Sequence, residues 1–335
     1  DDVIAAETRL SEVDGANGRL VIAGFRLDQL AGHRSFEQVL DLLGREVFGQ
    51  GDLKTRLGAA RLKAFAQLAF LDDGIIGQSI TEGLRALMAR LPDGEDGETA
   101  MLLAAAPAVF VPALVRRKAG LAPIAPDPSL GHAADMLAQL SGTEPSAAMV
   151  AALDTYLVTV SDHGLNASTF AARVVASTRA GYTSAVLAAL GALKGPLHGG
   201  APGPVLDMLD AVGQPDRAEL WLSGQLARGE RLMGFGHRIY RVRDPRADAL
   251  KAALARLGAA GGIDAARLEL AEAVERQALA LLRLKKPNRP LETNVEFFTA
   301  LLLEALGFPR EAFTGVFATG RVGGWLAHAE EQVSG

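Results

Sequence analysis

Cysteine is absent from this chain, and with it go several chemistries. There is no disulfide, no thiolate nucleophile and no thiolate metal ligand to find, which fits a reducing, cytoplasmic setting. Charge of one sign is not in excess either. The net charge of −5 gives no electrostatic reason to expect nucleic acid or an anionic membrane as a partner. The start, DDVIAAETRL, has two acids and no basic segment ahead of an apolar core, so no signal peptide is read there. The longest apolar run, residues 101–115, is too short to cross a bilayer and contains Pro107 and Pro112. Nucleotide and zinc signatures are missing as well: there is no GxxxxGK[ST], no strand-borne GxGxxG and no HExxH, and no metal is assigned.

What is present is an ordinary globular balance of 49% apolar and 22% charged residues over 335 positions, enough for two domains or one large one. Alanine and leucine are abundant and alternating β-branched runs are rare, so helices are expected nearly throughout. The exception is ETRLSEVDGANGRLVIAGF, where two short extended runs flank a turn at 14–18 and predict a hairpin. Ser35-Phe36-Glu37-Gln38 reads as a capping box that opens a stripe of Phe36, Val39, Leu40 and Leu43. Further helices are predicted over 60–71, 81–90, 98–119 (broken at Pro107), 204–212, 217–226, 244–257, 265–284, 295–306 and 320–331. Another begins at Pro145-Ser146, with Met149, Leu153, Tyr156, Leu157 and Val160 on its apolar face. Two apolar stretches, 101–115 and 149–160, carry more hydrophobic surface than one small domain face needs. Glycine- and proline-rich breaks at 195–203, 258–262 and 287–290 divide the chain into a large unit, residues 1–198 with 296–335, and a smaller one, 199–295. A single helical domain with long loops is the alternative.

Three of the six histidines sit in unusual company. His163 lies in SDHGLNASTF, His198 in KGPLHGGAPGP, and His237 in MGFGHRIYRVRDPR. Glycine supplies positive φ or close backbone approach, and proline ends helices, so none of these is an ordinary helix-face residue. Either each turn presents an imidazole for chemistry near neutral pH, or each holds a polar turn residue without a task. His33, His132 and His328 have the surroundings of loops or helix ends and are read as structural or solvated.

The segments SDHGLNASTF, ALKGPLHGGA, LMGFGHRIYRVRDPRA, NVEFFTALLLEALGFPREAFT and FATGRVGGWLAHAEEQ, in this order, resemble the citrate synthase family, and so does the N-terminal hairpin segment. The resemblance covers most of the chain. It implies a nearly all-α protein with a large helical domain, a small mobile helical domain and a short N-terminal hairpin, assembled as a homodimer whose large apolar interface the stretches 101–115 and 149–160 would build. It implies condensation of acetyl-CoA with oxaloacetate to citrate and CoA through an enol intermediate and thioester hydrolysis, with no tightly bound cofactor and coenzyme A entering as a thioester substrate. Carried over residue by residue, His198, His237 and Glu296 are catalytic. His163, Asn166, Arg246 and Arg321 bind the keto-acid, whose two carboxylates suit planar guanidinium forks. Leu232, Met233, Gly234, Phe235, Gly236 and Arg241 receive coenzyme A. Arg238 and Arg243 are read as a solvated basic face.

Two departures from the family pattern stand out. The base position holds Glu296 in TNVEF where the family has aspartate, and the extra methylene moves the carboxylate by roughly 1 Å. After GPLHGGA, Pro202-Gly203 replaces an asparagine and an acid, which removes a capping pair. Desolvation should raise the Glu296 pKa and nearby arginines should lower it, with sequence silent on which wins. A 2-methylcitrate synthase acting on propionyl-CoA, or a low-activity protein binding CoA or a keto-acid, are the alternatives.

Overall fold

The computed structural model describes residues 6–196, 198, 202–236, 240, 242–285 and 291–335. Its sheet is small and N-terminal. Strands β1 (Ser11–Asp14) and β2 (Arg19–Ile22) form the expected antiparallel hairpin, with Ser11 opposite Ile22 and Asp14 opposite Arg19. A two-residue strand, β3 (Phe25–Arg26), extends it. The turn is made by Asp14, whose Oδ1 accepts the backbone N–H groups of Ala16 and Asn17 at 3.1 Å each.

All other described regular structure is helical. The helices of eight residues or more are α1 (Phe36–Leu43), α2 (Leu53–Ala66), α3 (Ile80–Met88), α4 (Gly97–Ala105), α5 (Pro107–Lys118), α6 (His132–Ser141), α7 (Ala147–Val160), α8 (Ala167–Ala176), α9 (Tyr182–Leu193), α10 (Gly203–Val212), α11 (Ala218–Ala227), α12 (Pro245–Ala259), α13 (Ala265–Lys285), α14 (Val295–Ala305) and α15 (Phe313–Ser334). The Ser35 capping box is formed as predicted: Ser35 Oγ accepts the Gln38 N–H at 3.2 Å, and Gln38 Oε1 accepts the Ser35 N–H at 2.9 Å. Proline also breaks the 97–118 stretch where expected. Pro107 has no N–H for the carbonyl of Leu103, so one helix stops at Ala105 and the next starts with Pro107 at its first position.

Sequence pattern missed α6, α8 and α9. It also started the last helix at Gly320, where the structure starts it at Phe313. Glycines 320, 323 and 324 all lie inside the helix, where neighbours press against them. A Cβ on Gly323 would lie 2.0 Å from Leu40 Cδ1, and one on Gly324 would lie 2.3 Å from the Ser161 carbonyl oxygen. The two apolar stretches expected at a subunit interface are used inside the chain instead. Leu103, Val109, Phe110 and Val111 are fully buried, as are Leu153, Tyr156 and Leu157. The 97–118 stretch is long and apolar enough to cross a membrane, but 83% of its apolar window packs inside the protein.

The helix α15 is the spine of the core, with 15 of its residues buried. It packs against α4, α5, α7, α8 and α9. In the segment read as the smaller unit, α11 packs on α13, and α12 leans outward onto α7 and α14.

The glycine contacts predict a cost with a definite sign. Alanine normally favours a helix interior over glycine by about 1 kcal/mol. In Gly324→Ala the new methyl meets a backbone carbonyl, which cannot rotate away, so the variant should lose about 1–3 kcal/mol of unfolding free energy. Urea melts of the two proteins measure this, and a stabilised variant would contradict the packing described.

Candidate active site

The turn after α9 presents His198, whose backbone N–H bonds the Gly195 carbonyl at 2.9 Å. Its Nε2 lies 2.8 Å from the Ser168 hydroxyl, and its ring stands edge-on to Phe317 at 6.2 Å. Ser168 was not singled out in the sequence, because it sits in the NAST run as an apparent helix-start residue. Asn166 Oδ1 caps α8, accepting the N–H groups of Ser168 at 3.1 Å and Thr169 at 3.2 Å and facing the Ser168 hydroxyl at 2.8 Å. Its amide nitrogen is turned to the His163 and Gly164 carbonyls and to Thr169 Oγ1. Asn166 therefore supports the site from behind, its side chain committed to the loop and the helix start. Trp325 Nε1 donates to Ser168 Oγ at 3.1 Å. The single hydroxyl proton of Ser168 has two claimants, Asn166 Oδ1 and His198 Nε2. When it goes to His198, the neutral imidazole carries its own proton on Nδ1.

Burial, followed by the charges of Arg321 and Arg246, lowers the His198 pKa to about 4. At neutral pH the ring is uncharged. It can donate a hydrogen bond without bringing a positive charge of its own.

His163 is buried on the loop between α7 and α8, with Nε2 3.0 Å from the Tyr240 hydroxyl. The loop is anchored through Gly164, which has φ +60° and donates its N–H to Ser11 Oγ at 3.0 Å. Ser11 in turn donates to Asp162, which meets His328 Nε2 at 3.1 Å. Burial pushes the Asp162 carboxyl up, but His328, Arg321 and the Ser11 hydrogen bond outweigh it and hold the group below its usual range. His328 is thus structural, as read, though it lies deep inside α15 and not at a helix end. His132 opens α6, fully buried and stacked on Phe36. His33 is exposed.

Two buried arginines complete the neighbourhood. Asp244 caps α12 and grips Arg246 through Nε at 3.1 Å and Nη2 at 2.8 Å. Arg321 is 1% exposed, donates from Nε to the Val160 carbonyl, and lies with Cζ 4.9 Å from the Phe317 ring centroid. Among the described residues it has no carboxylate partner within salt-bridge distance. Burial, with repulsion from Arg246, brings its pKa down to about 10. Arg321 is thus a buried guanidinium without a bonded carboxylate among the described residues, the kind of group that an incoming anion neutralises.

Glu296 stands in the first turn of α14, capped by Asn294 Oδ1, which accepts the Glu296 N–H at 3.0 Å. Asn294 also fixes the approach of 232–236. Its N–H bonds the Gly234 carbonyl at 2.9 Å and its amide bonds the Gly236 carbonyl at 2.9 Å, while the Gly236 N–H bonds the Glu292 carbonyl at 2.8 Å. Phe235 pairs with Thr293 as an antiparallel bridge and packs on Phe297. Leu232, Met233, Gly234, Phe235 and Gly236 therefore run alongside the helix that carries Glu296. Gly234 is required here: its φ is +86°, and a Cβ would lie 2.9 Å from Phe297. Burial raises the Glu296 pKa, Arg246 opposes it, and Asp244 adds to the rise. Desolvation wins that contest.

Among the sequence-predicted residues, His198, Glu296, Arg246 and Arg321 fall into one electrostatic neighbourhood. Arg246 acts on all three others. His163 joins them through Tyr240, whose ring lies 5.8 Å from Arg246 Cζ. His237, Arg238 and Arg241 lie outside the described residues. Arg243 pairs with Asp248 at the surface. Helix α10 starts at Pro202 without a side-chain cap, as the loss of the asparagine and acid implied. Among the described residues no cluster of three or more His, Asp or Glu side chains is placed to hold a metal ion.

Comparison with known proteins gives a consistent result. The family model "Citrate synthase, C-terminal domain" matches residues 1–335. A citrate synthase of Haloferax volcanii is 37% identical, covering 99% of this chain and 90% of that protein. A 2-methylcitrate synthase of Mycobacterium tuberculosis is 35% identical, covering 99% and 86%. The citrate synthase of Thermoplasma acidophilum, solved as a ternary complex with carboxymethyl coenzyme A and oxaloacetate, superposes with a TM-score of 0.84 at 27% identity, covering 99% of this chain and 91% of that one.

The depressed His198 pKa has a consequence for stability. The unfolded chain takes up this proton near pH 6.5, while the folded chain resists it down to about pH 4. The stabilisation is therefore complete above pH 6.5 and is lost as the pH falls toward 4. Buried His132, also lowered, adds a loss of the same sign. Unfolding free energy should drop across this window, and His198→Gln should flatten the slope. Identical slopes for the two proteins would refute the assignment.

Proposed function

The chain belongs to the citrate synthase family, and from that membership we propose that it condenses acetyl-CoA with oxaloacetate, releasing citrate and coenzyme A. Members of the family are condensing enzymes. The observation that carries the reading is one neighbourhood holding a desolvated carboxylate, a neutral imidazole and two buried guanidinium groups.

The chemistry follows from those groups. The acetyl methyl is a very weak acid, so a base on carbon and a donor on the thioester oxygen must act together. Glu296 takes the proton, and its raised pKa makes it a stronger base than a solvated carboxylate. His198, with Ser168 donating to Nε2, donates from Nδ1 to the thioester oxygen and stabilises the enol form. The methylene carbon then bonds to the ketone carbon of oxaloacetate. His237, by family resemblance, donates to the new alkoxide. Water cleaves the resulting citryl thioester, and coenzyme A leaves as the thiol. Arg246, Arg321 and His163 hold the keto-acid, while 232–236 and Arg241 receive coenzyme A.

Residues 199–295 are proposed as a mobile smaller domain. They carry Arg246 and 232–236, whereas His163, His198, Glu296 and Arg321 lie on the larger unit, so closure would complete the site and exclude water. The protein is proposed to work as a homodimer. Support comes from Phe170 and Val174, one turn apart on α8 and 41% and 50% exposed. Sedimentation should give a dimer, and a stable monomer at micromolar concentration would overturn this.

A second reading, propionyl-CoA as the acyl donor, is favoured by the 2-methylcitrate synthase relative. One methylene in an apolar pocket alters selectivity by about 1–3 kcal/mol. Thiol release with oxaloacetate and each thioester decides between them: higher kcat/KM with propionyl-CoA replaces the acetyl reading, and no turnover with either refutes both.

The base has its own test. Glu296→Gln should keep the fold and keto-acid binding and lose about 100-fold or more of turnover. Wild-type turnover should climb as pH rises through the raised Glu296 pKa, because the base must be ionised. Glu296→Asp should also be slower, since the stitching of 292–294 to 234–236 fixes the backbone and the shorter carboxylate falls short. Full turnover in Glu296→Gln would remove Glu296 from the mechanism.

A further inference from the structure

The buried side chain that the mechanism leaves unused is Tyr156. Its position in α7 gives it an apolar reading by periodicity, and its ring is indeed fully buried. Its hydroxyl, however, has no hydrogen-bond partner among the described residues. An unpaired buried hydroxyl costs on the order of 1–3 kcal/mol, and such orphans are uncommon enough to require a reason.

Its neighbours supply one. Tyr156 and Val160 are four residues apart on α7, so they share a face. The Val160 carbonyl on that face is the acceptor for Arg321 Nε. Arg321, Arg246 and Glu296 are the charged groups acting on the phenol oxygen. Burial, foremost, keeps the phenol protonated well above its usual range, so it is a neutral donor. Around it are two guanidinium groups that can only donate and one carboxylate that the chemistry needs free. Apart from Glu296, what this corner lacks is an acceptor with negative charge and several lone pairs. A substrate carboxylate seated on Arg321 has both.

We propose that Tyr156 is a substrate-binding residue whose hydroxyl donates to the keto-acid carboxylate held by Arg321. The inference rests on the function proposed above and adds to it a third kind of donor beside the arginines and His163. The orphan hydroxyl is satisfied when the dicarboxylate enters, so part of the cost carried by the free protein is recovered on binding, and binding is selective for a ligand with a carboxylate at that end.

Tyr156→Phe tests this, because it keeps the ring and removes one oxygen. The free variant should melt at the same temperature as wild type or above it, since an unsatisfied group has gone. The KM for oxaloacetate should rise about tenfold, the value of one hydrogen bond to a charged acceptor. The KM for acetyl-CoA should not move, and the rise in melting temperature produced by oxaloacetate alone should shrink. A lowered melting temperature with an unchanged oxaloacetate KM would mark a structural hydroxyl and overturn the proposal. So would a KM change confined to the thioester. If wild type neither binds nor turns over oxaloacetate, the function reading fails and this one with it. If wild type does both and Tyr156→Phe matches it, Tyr156 alone is wrong.

Discussion

The site depends on how closely two helices can approach. Along α15, Gly320 and Gly324 face the end of α7: a Cβ on Gly320 would lie 2.5 Å from Val160 Cγ2, and one on Gly324 would meet the Ser161 carbonyl. Because neither residue has a side chain, the two backbones come into contact. That contact puts Arg321 against the Val160 carbonyl, Trp325 against Ser168 and His328 against Asp162. Three functional or supporting side chains, spaced at three- and four-residue intervals on one helix, are thereby delivered under the loop that carries His163. Push the helices apart by a methyl group and all three lose their partners together.

Electrostatics then does the rest of the positioning. Arg246 and Arg321 are both buried, and the nearest compensation is uneven: Asp244 is bonded to Arg246, while Asp162 acts on Arg321 from a distance and is itself bonded to His328. Burial first, and then the charges of Arg321 and Arg246, keeps His198 neutral. A cationic His198 would add a third charge to the same space. Glu296 is pulled both ways, by burial and by Arg246, and burial prevails. Arg246 thus acts on both a carboxyl whose pKa is raised and an imidazole whose pKa is lowered, and opposed shifts of this kind are a mark of functional sites.

The support behind these groups is made of ordinary local structure. Asn166 and Asn294 are helix caps, yet each has a second task. The first caps α8 and faces the hydroxyl that touches His198. The second caps α14 and ties 234–236 to the helix that carries Glu296. The N-terminal hairpin contributes too, because Ser11 holds both Gly164 and Asp162. Residues far from the reacting atoms thus set their positions through hydrogen bonds with no slack.

Much of this was legible in the residues alone. Absence of β-alternation gave an all-helical body, Asp14–Gly18 gave the hairpin, Ser35 and Gln38 gave a cap, and Pro107 gave a break, because each is a local preference that packing reinforces. The candidate site residues were assigned through motif resemblance, since glycines around a histidine announce a turn but not its purpose. Three things were decided by tertiary structure. The stretches 101–115 and 149–160 looked like surface for a partner and proved to be core, because apolarity does not say which neighbour will cover it. Tyr156 looked like core, and its hydroxyl turned out to lie unpaired among charges, because periodicity records the ring and not the oxygen. Whether Glu296 ionises easily could not be read from its neighbours in sequence. Desolvation depends on how much of the chain closes over a group, and that is a sum over distant segments which only the folded structure performs.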